Sequence, residues 1–376
     1  MPSKRRSLLA ASGAGGAATE GEFWSWGLGT FGRNGLGNTT SYSSPKQVGA
    51  LESWTKVGAG TSFGTAVKSD GTAWSWGRNI QGELGLGNTT AYSSPVQIGA
   101  LTNWLVLNTG NGNFVGAIKT DYTLWTWGVG YQGRLGLGNT TSYNSPKQVG
   151  SLTDWSSVAL GTDMMASIKS DGTLWTWGNY SQGQLGHGNA TAYSSPKQVG
   201  ALTDWSIIAA GGESSAGAVK TDGSLWTWGK GTDGRLGLGN TTNYSSPKQV
   251  GGLTNWADIA MGQKHSLAVK TDGTLWGWGY NTQGQVGDGS TTARNSPVQI
   301  GALTDWLSVK AGGLSSRAIK SDGSLWAWGN GASGQLGDGA ATSRSSPVQV
   351  GVLTTWLDVS AGHGGSTTNT LAIKSV

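Results

Sequence analysis

Catalysis would need carboxylates, histidines or phosphate-cradling glycines at workable spacings, and this chain offers few. Its 376 residues hold fifteen Asp and five Glu. Six aspartates (Asp70, Asp121, Asp171, Asp222, Asp272 and Asp322) sit in short turns between apolar segments, where bonding to the local backbone explains a carboxylate. Asp154, Asp204 and Asp305 each precede a tryptophan in another repeated turn. The remaining carboxylates form no distinctive acid–base constellation. The three histidines, His187, His265 and His363, lie in different repeats, which argues against a metal triad. The absence of cysteine excludes thiolate metal sites, thiol nucleophiles and disulfides. Glycine-rich pieces such as Gly186-His187-Gly188-Asn189 lack the Lys-Ser/Thr and the helix that follow a phosphate loop. Asn-Thr-Thr triplets at Asn38, Asn88, Asn139 and Asn240 are glycosylation acceptors only in a eukaryotic secretory context. The sequence thus reads as a non-enzyme, with no catalytic residue, metal or cofactor.

What the chain does repeat is tryptophan. Ser170 to Gly178 reads SDGTLWTWG, a hairpin turn leading into a strand with Trp175 and Trp177 on one face and Thr176 on the other. Such pairs recur seven times, from Trp24/Trp26 to Trp326/Trp328, at intervals of 50 or 51 residues. A fixed period of this length marks a repeat architecture. Each unit also holds a Gly-rich loop, a strand such as Pro196-Lys197-Gln198-Val199, a third tryptophan (Trp205) with its own strand, and a strand ending in Lys220. That makes four short strands per unit, with Asp-Gly hairpins as the strongest local signal. At Asp121-Tyr122 a bulky residue replaces Gly, so a different turn type is expected there. The third tryptophan always follows the first by 30 residues, and length varies only between its strand and the Lys-ending strand. That turn is the adaptable loop, and the Gly-rich loop is the fixed one.

Four-stranded units of this length stack radially as propeller blades, leaving few exposed edges. The frame is offset. The chain starts on a tryptophan strand, Phe23 to Gly27, and ends with Leu357-Asp358-Val359 and Leu371-Ala372-Ile373-Lys374, the two strands that its first unit lacks. The expected fold is therefore all-β: a seven-bladed propeller over residues 21–376, its last blade closed by strands from both termini. The 21 tryptophans, three per unit, would form the core. Each buries about 150–250 Å², worth up to roughly 4–6 kcal/mol.

Residues 1–20, MPSKRRSLLAASGAGGAATE, differ from the rest. The basic cluster Lys4, Arg5, Arg6 precedes Leu8-Leu9 and a run of small residues. The segment reads as a flexible tail, as an arm that orders on a partner, or as an export signal with a twin-arginine match. These three residues supply much of the +5 net charge. The repeat body is therefore nearly neutral, which argues against a nucleic-acid partner. No stretch approaches the roughly 18–20 apolar residues of a membrane span, so a soluble protein is expected.

The pattern Asp-Gly-x-Leu-Trp-x-Trp-Gly, then Gly-Gln-Leu-Gly, Ser-Pro-x-Gln-Val and Ala-Gly, resembles the repeats of the regulator of chromosome condensation family. Met261 to Lys270 is similar to that family's glycine-to-histidine strand, although Phe63 and Ser315 replace His265 in two other units. The resemblance spans residues 21–376 and implies a seven-bladed propeller. For the founding member it also implies nucleotide exchange on a small GTPase with chromatin docking. For bacterial and phage relatives it implies binding or structural modules. No long insertion supplies an exchange wedge here.

One departure has its own logic. Two loops carry Asp288 with Arg294 and Asp338 with Arg344. The other five hold Leu36/Tyr42, Leu86/Tyr92, Leu137/Tyr143, His187/Tyr193 and Leu238/Tyr244 at the same places. Both positions switch together, which implies contact across the loop. Loop packing explains this; a tyrosine-bearing rim for a protein partner is the functional reading. Candidate partner-binding residues are thus Tyr42, Tyr92, Tyr143, Tyr193 and Tyr244, with Lys4, Arg5, Arg6, Leu8 and Leu9 of the arm. The expected function is non-catalytic: a structural or adhesion-type subunit of a larger assembly, such as a phage virion or cell-surface complex. Alternatives are a GTPase exchange or chromatin-docking factor and, third, a lectin whose partner is a glycan.

Overall fold

The computed structural model describes residues 20–50, 52–189, 191–365 and 368–376. Twenty-eight strands group into seven antiparallel blades of four. Blade three is representative, with strands Trp155–Leu160, Met164–Lys169, Leu174–Gly178 and Tyr193–Gln198 in that order from the axis outward. Blades one to six run consecutively from Trp54. Blade seven joins Trp356–Ala361 and Asn369–Ser375 to Gly21–Gly27 and Tyr42–Gln47. Its seam is seven registered pairs long, from Gly21 opposite Ser375 to Gly27 opposite Asn369. The ring is therefore closed by strands from both ends of the chain, as the offset frame requires.

The three tryptophans of each blade, two from one repeat and the third from the repeat before it, have separate duties. The second is fully buried, and its indole N–H crosses to the preceding blade: Trp177 donates to Arg134 O at 3.1 Å, Trp228 to Gln184 O at 2.9 Å, and Trp26 to Gln335 O across the seam at 3.0 Å. A glycine at positive φ lies against each of these rings. A Cβ on Gly136 (φ +74°) would stand 2.6 Å from Trp177 Nε1, so this place in the Gly-rich loop admits no side chain. The first tryptophan is half-buried and bonds within its own blade, as Trp175 Nε1 does to Thr173 Oγ1. The third packs on both others, with Trp155 centred 6.1 Å from Trp175 and from Trp177. Over it lies the lysine that ends the second strand. Lys169 Nζ sits 5.0 Å from Trp155 and 4.4 Å from Trp175, a buried ammonium held by ring faces.

The residue between the paired tryptophans does more than stay small. Thr126 and Thr227 are wholly buried and donate to Leu135 O and Leu236 O, fixing each Gly-rich loop to its own blade. One further backbone bond per interface ties that loop to the next blade's outer strand, as with Gly138 N to Ser194 O.

The hairpin at Asp121-Tyr122 departs from expectation. It is the same turn as its neighbours: Tyr122 takes φ +60° and its N–H reaches Lys119 O, as Gly172 N–H reaches Lys169 O. The left-handed conformation costs a residue with a side chain roughly 1–2 kcal/mol. Asp121, accepting from Thr123 N and Oγ1, and the partner bond Trp155 N–H to Tyr122 O hold the turn in place.

Candidate protein-binding surfaces

Antiparallel blades give the ring two dissimilar faces. One carries the adaptable loops near the axis and the long Gly-rich loops outside them. The other carries the Asp-Gly hairpins and the connections that lead from one blade's outer strand to the next blade's inner strand.

On the first face the adaptable loops form an almost continuous belt around the axis. Thr61 Oγ1 donates to Asn111 O, Asn111 Nδ2 to Thr162 Oγ1, Gly212 N to Gly262 O, Gln263 N to Gly312 O, and Gly313 N to Gly362 O. Arginines of the Gly-rich loops brace the belt from outside. Arg134 Nη1 donates to Gly112 O and to Thr162 O, linking the loops of adjacent blades. In the loops with an extra residue, Asn113 and Ser214 adopt positive φ, which is how the added length is absorbed.

Beneath the belt the inner strands enclose an axial cavity of about 660 Å³ that extends to Asp322 and Gly323 at the hairpin face. Its wall is uneven. Blades two to four line it with uncharged residues, among them Val106, Asn108, Val158, Ala159, Ile208 and Ala209, whereas Asp258, Lys310, Asp358 and Lys56 come from blades five, six, seven and one. Asp258 accepts from Ile259 N and Val309 N, yet burial holds its carboxyl above the ordinary range. The sequence reading missed this contrast, although positions three and five of the inner strands already displayed it.

The predicted rim residues lie where the Gly-rich loops meet the outer strands. All five tyrosines are half-buried and begin their strands on five consecutive blades, seven, one, two, three and four. Four of the hydroxyls accept from loop asparagines: Asn139 Nδ2 to Tyr143 at 3.2 Å, Asn189 to Tyr193 at 3.1 Å, Asn240 to Tyr244 at 3.2 Å and Asn38 to Tyr42 at 3.4 Å. Lysines stack on four of the rings, most closely Lys197 on Tyr193 at 4.4 Å. The co-varying positions meet in the other two blades as ion pairs, Arg294 to Asp288 at 2.6 Å and Arg344 to Asp338 at 2.8 Å. His187 and Tyr193 rings are centred 5.0 Å apart. Leu86/Tyr92, Leu137/Tyr143 and Leu238/Tyr244 pack on shared clusters, while Leu36 and Tyr42 pack on different ones. A groove beside His187, between blades three and four, is lined by Lys197, Leu202 and Trp226. Burial lowers the His187 pKa, with help from Lys197. Lys4, Arg5, Arg6, Leu8 and Leu9 lie outside the described residues.

Among the described residues no group of three His, Cys, Asp or Glu side chains is placed to hold a metal, and no helix is long and apolar enough to cross a membrane. His265 is wholly buried and bonded to Ser316 of the next blade. Ser316 Oγ donates to Gln285 O, so it must accept from His265 Nε2–H at 2.9 Å, which fixes the tautomer. Burial, with nearby Arg235 and Arg317, lowers the His265 pKa to about 3, and burial lowers that of His363 to about 4.

Residues 117–368 match the RCC1-like domain, and residues 20–67 and 70–111 match the regulator of chromosome condensation (RCC1) repeat. The chain belongs to the RCC1 repeat family. The human E3 ubiquitin-protein ligase HERC2 is 32% identical over 261 residues, 66% of this chain and 4% of the ligase; the mouse protein is 31% identical over the same length. The chain thus spans a small fraction of the curated relatives it matches. Among solved structures, yeast RCC1 (Prp20) in complex with Kap60 superposes with TM-score 0.83 at 22% identity, covering 96% of this chain and 90% of that one. Human WBSCR16 superposes with TM-score 0.83 at 18% identity, covering 94% and 98%. At these identities the likeness is one of fold. It agrees with the closed propeller seen here.

Proposed function

We propose that this RCC1-repeat propeller is a non-catalytic, protein-binding subunit of a larger assembly, such as a virion or cell-surface complex. The observation that carries the reading is the tyrosine sector. Five consecutive blades present half-exposed tyrosines, four of which (Tyr42, Tyr143, Tyr193 and Tyr244) are each bonded by a loop asparagine and covered by a lysine, while the remaining two blades present arginines. Aromatic and amide groups held rigid on a scaffold are the chemistry of protein interfaces, because they bury area at little entropic cost. The partners named for Prp20 (Kap60, Gsp1p and histones) are likewise proteins. Residues 1–20 are the second contact element, a docking arm ahead of the propeller at 21–376.

Sedimentation of the native-source extract, with intact mass on each fraction, tests the reading. Full-length chain should run in a high-mass fraction, and Tyr143→Ala with Tyr193→Ala should release it to the monomer position. Release must occur at a temperature where the variant remains folded. A monomeric wild-type chain would refute the assembly reading. A nucleotide-release assay on a small GTPase and a glycan array test the exchange and lectin alternatives.

A further inference from the structure

The hairpin face carries two rings that neither the core nor the tyrosine sector uses. Six blade-to-blade connections have the form Gly-x-Leu-Thr, and the leucine of each stands out into solvent. Leu101, Leu152, Leu202, Leu253, Leu303 and Leu353 are 40–49% exposed although each follows a wholly buried aliphatic side chain by three residues. Large side chains scattered singly need no explanation, but a ring of them on one face does. The second ring is acidic. Asp171 and its five counterparts are exposed, and the Thr or Ser two residues on donates to each through both backbone N–H and hydroxyl. These bonds hold Asp70, Asp121, Asp171, Asp222 and Asp322 below the usual carboxylate range, so the ring stays ionised.

The rings adjoin. Trp205 N–H bonds Gly172 O, which places the Leu202 connection against the Asp171 hairpin, and the same bond recurs at Trp256 with Gly223 and Trp356 with Gly323. The lysines near these aspartates lie buried under tryptophan rings. Those of the outer strands lie over tyrosine rings.

The seventh hairpin does not exist. Its place is taken by the two ends of the propeller, where Gly21 pairs with Ser375 and with Trp54. The segment ahead of Gly21 therefore leaves from the hairpin face, between the Asp322 hairpin of blade six and the Asp70 hairpin of blade one. That segment carries Lys4, Arg5, Arg6, Leu8 and Leu9, the complement of an aspartate ring and a leucine ring. Leu9 and Gly21 are twelve positions apart, a reach of up to about 40 Å. Four strands about 4.8 Å apart make a blade only roughly 15 Å deep.

We propose that the hairpin face is the docking surface for this chain's own residues 1–20, with Leu8 and Leu9 among the exposed leucines and the three basic residues against the hairpin aspartates. The inference rests on reading residues 1–20 as a docking arm and names the surface on which it docks in the isolated chain. A partner that takes the arm then uncovers the leucine ring.

The absence of cysteine makes the test clean. Full-length protein with Ser7→Cys is labelled with a thiol-reactive benzophenone, irradiated when dilute, and its cross-linked peptides are mapped by mass spectrometry. The expected result is monomer-mass product linked to the hairpins and connections, lost in the Leu8→Asp/Leu9→Asp background and weakened by salt. Cross-links on the Gly-rich loop face, or none above background, would overturn the proposal. Dimer-mass product would overturn docking within one chain and assign the face to a second copy. Hydrogen exchange of the unlabelled chain and of the Leu8→Asp/Leu9→Asp variant gives an independent reading: faster exchange in the variant at the hairpin turns is expected, and identical exchange counts against the seat. Both readouts use the isolated protein, so failure of the assembly reading leaves them unaffected.

Discussion

Glycine does two different things in this propeller, and a pair of substitutions separates them. Gly136 and Gly150 both adopt the left-handed conformation, φ +74° and +59°. A Cβ at Gly150 meets nothing within 4 Å, whereas at Gly136 it meets Trp177 Nε1 at 2.6 Å. Gly150→Ala should therefore suffer conformational strain alone, about 1–2 kcal/mol, offset by about 0.4–1 kcal/mol from restricting the unfolded chain. The net cost is about 1 kcal/mol or less. Gly136→Ala carries the same strain and must also push a fully buried indole by several tenths of an ångström. That breaks the bond to Arg134 O, at about 1–3 kcal/mol for a stranded buried donor, and overpacks the interface, at about 1–3 kcal/mol. The difference between the two variants should be about 2–6 kcal/mol, read from urea denaturation followed by circular dichroism. Trp177→Phe removes the obstructing nitrogen, so in that background the excess cost of Gly136→Ala should shrink, a coupling that a double-mutant cycle measures. Equal costs for the two alanines, or no coupling to Trp177, would refute the account of the Gly-rich loop as a seat for the next blade's tryptophan.

Other consequences follow from buried charge and from the seam. Burial lowers the Lys119 pKa, and the residue that pairs the equivalent Lys169 and Lys220, Asp154 or Asp204, is Asn103 in this blade. The unfolded chain then binds the proton more tightly, so this site gains stability as pH rises from the folded pKa toward the unfolded one near 10.4. Asn103→Asp should stabilise the neutral-pH protein by up to about 1 kcal/mol and flatten that alkaline gain in pH-dependent thermal melts. His265, with its pKa near 3, must stay neutral to remain buried. Stability falls between about pH 6.5 and 3 as the unfolded imidazole charges, and His265→Phe, the residue at this place in blades one and two, should reduce the fall. Deleting residues 360–376 removes the strand between Trp356–Ala361 and Gly21–Gly27. The product should be aggregated or unfolded; a soluble chain with a cooperative melt would sink the closure argument.

The fold was legible because its determinants are local and repeated. The paired tryptophans, the Asp-Gly turns and the offset frame each appear as spacings in the chain, and the blades use them as those spacings require. The coupling of Asp288 with Arg294 was legible for the same reason, since the two positions lie six residues apart and change together. What stayed hidden depends on the ring. The cavity wall assembles residues from seven units, and no single unit shows that Lys310 and Asp258 share it. The leucines were in plain view in every connection, but exposure cannot be read from a repeated apolar residue. At Tyr122 propensity misled, because the flanking bonds outweigh the strain.

A propeller built from one repeat should be indifferent to which blade is which, so coordinated departures from the repeat carry information. Here they gather on one side. In blades five, six and seven the second strand offers Ser266, Ser316 and Thr370, whose hydroxyls donate to Arg235 O, Gln285 O and Gln335 O. Those are the carbonyls already bonded by Trp278, Trp328 and Trp26. Blades one to four place Gly64, Val115, Met165 and Ala216 there instead. The buried Arg317 belongs to the polar set, donating to Thr370 Oγ1 and Gln335 O, and burial lowers its pKa to about 9. A buried guanidinium is tolerable only where every neighbouring acceptor is already in place. Such a group therefore constrains the adjoining blade, and a polar change in one unit selects polar partners in the next. The arginine rim pairs and three of the cavity charges, Asp258, Lys310 and Asp358, fall in these same blades, while the uncharged stretch of the cavity wall and three of the five rim tyrosines fall in blades two to four. Interface coupling of this kind gives a sevenfold scaffold one orientation, and a ring with a distinguishable side can meet an asymmetric partner in a single register.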